Sequence, residues 1–155
     1  MRRVLIPIDG SQRSLLAVGE IMRQATSADT LEVHLLNVQP RIFPQEMLLY
    51  LPPDKVDTFY YDRATEALAP AEKLLRVARL PFVSHRAVGP VAETIVEKRR
   101  ELDCDSIVMA SRGHGKIAAT LLGSVAAQVL HLADVPVTLI TDNTRPDFGG
   151  RLQAT

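Results

Sequence analysis

Short runs of aliphatic residues alternate along the chain with longer stretches in which apolar positions recur every three or four residues. The runs read as buried strands and the periodic stretches as amphipathic helices. Val4 to Ile8, Leu31 to Val38, Phe82 to Val88, Ser106 to Ala110 and Val135 to Ile140 are the five predicted strands. After the first, Asp9-Gly10-Ser11 turns the chain, and Ser11 is the expected N-cap of a helix with Leu15, Val18, Met22 and Ala25 on one face. A long helix is expected from Asp54 to Ala78, striped by Val56, Tyr60, Ala64, Leu68, Ala71, Leu75 and Ala78. Gly89-Pro90 opens the next, with proline at the first helical position and Val91, Ile95 and Leu102 as its buried edge. A last helix is expected from Ser124 to Ala133.

Five strands separated by four helical segments imply right-handed crossovers and an α/β fold: a five-stranded parallel sheet with helices on both faces. Serine and arginine alternate with apolar residues in the third strand, so one of its faces is expected to be partly buried. Residues 39 to 53 break the rhythm. Pro40, Pro44, Pro52 and Pro53 enclose an apolar loop with Ile42, Phe43, Met47, Leu48, Leu49, Tyr50 and Leu51, side chains that need a cover. Pro136 within the fifth strand predicts a sheet edge there. That edge is apolar and carries no charge to block pairing, which predicts a homodimer through Val135 to Ile140.

Composition narrows the picture. The 155 residues suit one domain over 1–141 followed by a flexible C-terminal tail, 142–155. Eighteen basic residues balance eighteen acidic ones, with no basic half or stripe, which argues against nucleic acid or an anionic membrane as partner. The run Glu97-Lys98-Arg99-Arg100-Glu101 reads as a solvated helix face. Cys104 stands alone, so no internal disulfide or cysteine-built metal site can form, and its place before a hydrophobic strand suits an inert buried thiol. Met1-Arg2-Arg3 before Val4-Leu5-Ile6 mimics a signal peptide, but Pro7 and Asp9 end the apolar run too early. No stretch is long enough to span a bilayer, so the cytoplasm is the expected location.

In an open parallel sheet, ligands bind beyond the carboxyl ends of the strands where strand order reverses. Two segments bring unusual residues there. One is Pro7-Ile8-Asp9-Gly10-Ser11; the other is Ala110-Ser111-Arg112-Gly113-His114-Gly115-Lys116, followed by Gly123-Ser124. Glycines let backbone N–H groups approach an anion, and a helix starting at Gly123-Ser124 adds unpaired N–H groups and a positive dipole end. Arg112 and Lys116 would add charge to a phosphate tail, and Asp9 would accept from a ribose or an adenine amino group. Each residue also has a plain structural reading. Ser124 is equally a helix cap, Gly123 a tight turn, Asp9 a turn starter and His114 a solvated loop residue. His34, His85 and His131 read as surface or core residues.

Sharper motifs are missing. Gly113-His114-Gly115-Lys116-Ile117-Ala118 resembles a dinucleotide turn, but the acidic residue some twenty positions on, Asp134, precedes a strand instead of ending one. Gly115-Lys116 lacks the spacing of a Walker A loop, and Ile117 stands where a hydroxyl would hold magnesium. There is no G-x-S-x-G elbow and no His, Asp and Glu cluster with metal-ligand spacing.

The chain resembles the universal stress protein family from Arg3 to about Thr141. Val4-Leu5-Ile6-Pro7-Ile8-Asp9-Gly10-Ser11 is similar to that family's first strand and turn, Leu35-Leu36-Asn37-Val38 to its second strand, and Val135-Pro136-Val137-Thr138-Leu139-Ile140 to its closing strand. Gly113, nine intervening residues and Gly123-Ser124 match its nucleotide motif, in which Ala110 replaces the first glycine. The resemblance implies a Rossmann-like, adenine nucleotide α-hydrolase-like fold and ATP, with or without Mg, as cofactor. It implies that Asp9 and Val38 contact adenine and ribose, with Pro7 and Ile8 also among the binding residues. Met109, Ala110, Ser111, Arg112, Gly113, His114 and Gly115, with Gly123, Ser124 and Val125, would surround the ribose and phosphates. It also implies a dimer through the closing strand. The leading functional expectation is a non-enzymatic, nucleotide-dependent interaction module in stress response. An interaction protein without nucleotide, acting through the apolar loop, and a weak ATP hydrolase using His114 or Asp9 are the alternatives.

Overall fold

The computed structural model describes residues 1–25, 30–111 and 122–141. Five parallel strands form one sheet in the order β3-β2-β1-β4-β5: β1 (Arg2–Pro7), β2 (Leu31–Gln39), β3 (Phe82–Val88), β4 (Ser106–Ala110) and β5 (Val137–Ile140). Chain order runs outward from β1 through β2 to β3, then returns to the other side of β1 for β4 and β5. The switch point therefore lies between β1 and β4. The helices are α1 (Leu15–Gln24), α2 (Gln45–Leu48), α3 (Pro53–Val77), α4 (Val91–Glu101) and α5 (Ser124–Leu132).

Alternation along the strands builds two cores. Val4, Ile6, Val33, Leu35 and Val108 face one side, where Ala17, Val18 and Ile21 of α1 and Leu68, Ala71 and Leu75 of α3 close over them. Leu5, Leu36, Val38, Ile107 and Met109 face the other, under Ala92, Ile95 and Val96 of α4 and Ala126 and Val129 of α5. The central strands are buried on both faces, which explains their unbroken aliphatic runs. The edge strand β3 has no fully buried residue before Gly89. Its Ser84 Oγ donates to Glu72 Oε1 at 2.7 Å and its Arg86 Nε to Thr65 Oγ1 at 3.0 Å, so polar contacts tie it to α3.

Four expectations are corrected. Ser11 is not the N-cap residue of α1: residues 11–14 form a turn and α1 starts after Ser14, although Ser11 Oγ accepts from Ser14 N–H at 3.2 Å as a capping side chain does. Pro90 stands at the N-cap of α4, one place earlier than its missing N–H suggested. Pro136 precedes β5 and lies outside it, although its carbonyl still accepts from Ile107 N–H at 3.0 Å. The apolar loop contains the short helix α2, none of whose residues is buried. Within that loop Phe43 packs edge-on against Phe59 and Tyr60, and Ile42 N–H donates to the Tyr60 hydroxyl at 3.0 Å. Ile42, Met47, Leu48, Leu49 and Tyr50 remain exposed. The expected tail at 142–155 lies outside the described residues.

Cys104, buried beneath α4, is pushed up to about 11, first by burial. A thiol held so far above its ordinary range is almost wholly protonated near neutrality, and only the thiolate is nucleophilic. Native protein at pH 8 is expected to resist iodoacetamide over hours, whereas denatured protein reacts within minutes. Alkylation followed by mass spectrometry checks this. Among the described residues, no helix is long and apolar enough to cross a membrane.

Candidate functional site

The carboxyl ends of β1 and β4 and the N-terminal turns of α4 and α5 enclose a cavity of about 450 Å³. That is the size range of small-molecule sites, roughly 300–1,000 Å³. Leu36, Val38, Ile95 and Met109 make part of its wall apolar. Asp9, Ser11, Arg13, Ser14 and Ser124 supply polar groups.

Asn37, fully buried, fixes the segment that carries Asp9. Its Nδ2 donates to Ile8 O at 2.7 Å, its Oδ1 accepts from Gln39 Nε2 at 2.7 Å, and Ile8 N–H donates to Leu36 O at 2.8 Å. The chain then turns at Gly10 with φ +87°. Asp9 Oδ1 accepts from Ser11 N–H at 2.8 Å and from Ser11 Oγ at 2.5 Å. Burial raises the affinity of this carboxyl for its proton, but the hydrogen bonds from Ser11 and Ser14 outweigh it and hold Asp9 below its ordinary value. Asp9 is thus an ionised, aimed acceptor at neutral pH.

A Cβ added at Gly10 would lie 3.3 Å from Ala67 Cβ on α3, in a backbone region that L residues rarely adopt. Left-handed backbone costs an L residue about 1–2 kcal/mol. Gly10→Ala is expected to lose roughly that much stability. A thermal melt lowered by about 2–8 °C checks this, at roughly 2–4 °C per kcal/mol for a chain of this size.

On the opposite wall, Gly123 holds φ +78° and ψ 144° as the N-cap of α5, and no side chain caps that helix. Ser124 is therefore the first residue of the helix and not its cap. The N–H groups of the first turn have no intrahelical acceptors, and Gly123, Ser124, Val125 and Ala126 all border the cavity.

Pro7, Ile8, Asp9, Val38, Met109, Ala110, Gly123, Ser124 and Val125 are thus brought together from distant parts of the sequence. Ser111 is not among the lining residues: it is buried, and its N–H donates to Ile140 O at 3.0 Å, extending the β4–β5 ladder. Arg112, Gly113, His114, Gly115 and Lys116 lie outside the described residues. Sequence reasoning placed Ser11 in the segment at the site but gave it only a cap's role, and it missed Ser14 as a lining residue. It also missed Arg13, Leu36, Leu122 and Ala126. Val91 and Ile95 were read only as the buried edge of α4; their place in its first two turns, after a strand end, was the available signal. Asp134, excluded above from ribose binding, pairs with Arg99 at 2.6 Å and Arg100 at 3.2 Å and clamps α4 to the segment before β5.

The model of the Universal stress protein family matches residues 1–141. The chain belongs to this family. A universal stress protein of Methanocaldococcus jannaschii is 28% identical over 142 residues, covering 90% of this chain and 81% of the relative. Among solved structures, a universal stress protein in complex with cAMP superposes with a TM-score of 0.62 at 24% identity, over 90% of this chain and 96% of the other. A universal stress protein family member from Arabidopsis thaliana with AMP bound superposes with a TM-score of 0.68 at 16% identity, over 93% and 94%. At these identities the two structures establish the shared fold. In this universal stress protein the cavity occupies the switch point of that fold, between β1 and β4.

Proposed function

We propose that this universal stress protein binds an adenine nucleotide, ATP foremost, in the switch-point cavity and acts in stress response as a nucleotide-dependent interaction module. The observation that carries the reading is one concave site lined both by apolar side chains and by the uncapped first turn of α5. A purine suits Leu36, Val38, Ile95 and Met109. Asp9 suits the ribose hydroxyls, as an acceptor already ionised. Phosphates suit the N–H groups at Gly123 to Val125 and the Ser124 hydroxyl. The AMP and cAMP bound to two proteins of the same fold favour an adenine base. Magnesium would arrive on the phosphates: among the described residues no group of three or more His, Cys, Asp or Glu side chains could hold a metal.

The reading assigns no catalytic residue. Asp9, the one carboxylate on the cavity wall among the described residues, is already engaged by Ser11. Two further parts of the proposal are a cytoplasmic location, where ATP is supplied, and a homodimer through β5. That strand is a sheet edge whose Val137 and Leu139 are only partly buried. Light scattering should return twice the 17.1 kDa of one chain. Isothermal titration tests the ligand: saturable heat with ATP, and less with GTP, supports the proposal. No heat, and no rise in melting temperature at millimolar ATP, overturns it. That outcome would favour the second reading, a nucleotide-free interaction protein using the exposed Ile42, Met47, Leu48, Leu49 and Tyr50.

A further inference from the structure

Away from the cavity, on the face of the sheet covered by α4, two histidines meet between β2 and β3. His34 is 5% exposed and His85 half-buried. Their rings lie edge to edge with planes inclined by only 21° and centroids 5.1 Å apart, and His34 Nδ1 lies 2.9 Å from His85 Nε2. The far nitrogen of His34, Nε2, lies 2.6 Å from Glu32 Oε1. Glu32 Oε2 is 3.6 Å from Arg3 Nε on β1. From α4, Lys98 presents its charge to His85 while pairing with Glu101 at 2.5 Å. Among the described residues, Glu32 with its partner Arg3 and Lys98 with its partner Glu101 are the charged groups tied to the pair.

Nitrogens 2.9 Å apart need one hydrogen between them. With both rings neutral, His34 donates to Glu32 and accepts from His85. One proton added to the pair still leaves a single hydrogen between the two facing nitrogens, and Glu32, at the far nitrogen of His34, balances the charge. A second proton puts N–H against N–H, and the contact cannot persist.

We propose that Glu32, His34 and His85 form an acid-released latch that fastens edge strand β3 to the sheet beneath α4, held by a single shared proton and opened by a second. Among the described residues the edge strand pairs only with β2, with no second ladder to hold it. Burial first, then His34, then Lys98 resist the charging of His85 and place it below the ordinary 6.5. The sign follows: the unfolded chain binds this proton more readily than the folded one. The stabilisation is complete above pH 6.5 and is lost as pH falls through the lower folded value. The latch does not depend on nucleotide binding.

The test compares melting temperatures of nucleotide-free protein and His85→Gln between pH 7.5 and 5.0. Glutamine can still bond to His34 but does not titrate, and the remaining carboxylates act alike in both proteins. The wild type is expected to lose at least about 3 °C more than the variant. Parallel profiles overturn the proposal. Should His85→Gln fail to fold, ring-nitrogen NMR of the wild type decides. Two separate steps, the lower accompanied by lost amide protection in β3, support the latch. Titration of both rings in a single step with β3 still protected refutes it.

Discussion

Replacing Gly123 by aspartate is expected to weaken ATP binding at least about 100-fold while the fold persists. Two effects act together. Gly123 sits at φ +78° and ψ 144°, close to a region that glycine alone occupies freely and that costs other residues on the order of 1–3 kcal/mol. Relief of that strain rotates the N-cap and re-aims the N–H groups of Ser124 and Val125. The new carboxylate would also face the phosphates of a nucleotide bound as proposed. At about 5 Å and an effective dielectric near 20, two like charges repel by about 3 kcal/mol. About 2.7 kcal/mol is 100-fold in affinity. Gly123→Ala carries the strain without the charge and should lose only about tenfold. Titration calorimetry of both variants separates the two effects. Equal affinity of Gly123→Asp and wild type would remove α5 from the phosphate site.

Leu68→Ala is expected to be the most damaging of the conservative changes considered for stability. Leu68 is fully buried at the centre of the α3 stripe, within the core formed with Val4, Ile6, Val33 and Leu35. Truncation removes apolar contact and leaves a cavity, at about 2–5 kcal/mol in well-packed cores. At roughly 2–4 °C per kcal/mol this lowers the melting temperature by about 4–20 °C. Leu48→Ala, at a residue 39% exposed on α2, should change it by about 1–2 °C at most. Similar losses from both leucines would mean that the loop helix is covered in solution and belongs to the core.

The architecture was legible because its signals are periodic. Phe82 to Val88 and Ser106 to Ala110 match the observed strands residue for residue, and Tyr60, Ala64, Leu68, Ala71 and Leu75 are the buried stripe of α3. Boundaries were less readable where turn chemistry competes with helix chemistry. Ser11 looks like a cap because serine favours that role, and its Oγ does accept from Ser14 N–H, but its hydroxyl and N–H also donate back to Asp9, and helix geometry begins only after Ser14. Pro136 has strand-like neighbours, but the strand takes shape only from Val137.

The cavity was partly legible for a related reason. Glycine at 123 and aspartate at 9 are conspicuous after strands and before helices. Leu36, Ile95 and Ala126 look like any core residue, and only the folded arrangement shows that they border a hollow. The supporting bond from Asn37 to Ile8 was equally hidden, since it joins residues 29 positions apart. The His34–His85 contact, across 51 positions, could not be read from two isolated histidines.

Amide NMR of the labelled protein during ATP addition tests the central claim most directly. Shifts should gather at Asp9 to Ser11, Val38, Met109, Ala110 and Gly123 to Ala126, while the far edge of β3 stays still. Spectra unchanged at millimolar ATP, or shifts centred on the exposed loop around Leu49 and Tyr50, would contradict nucleotide binding at the β1–β4 switch point.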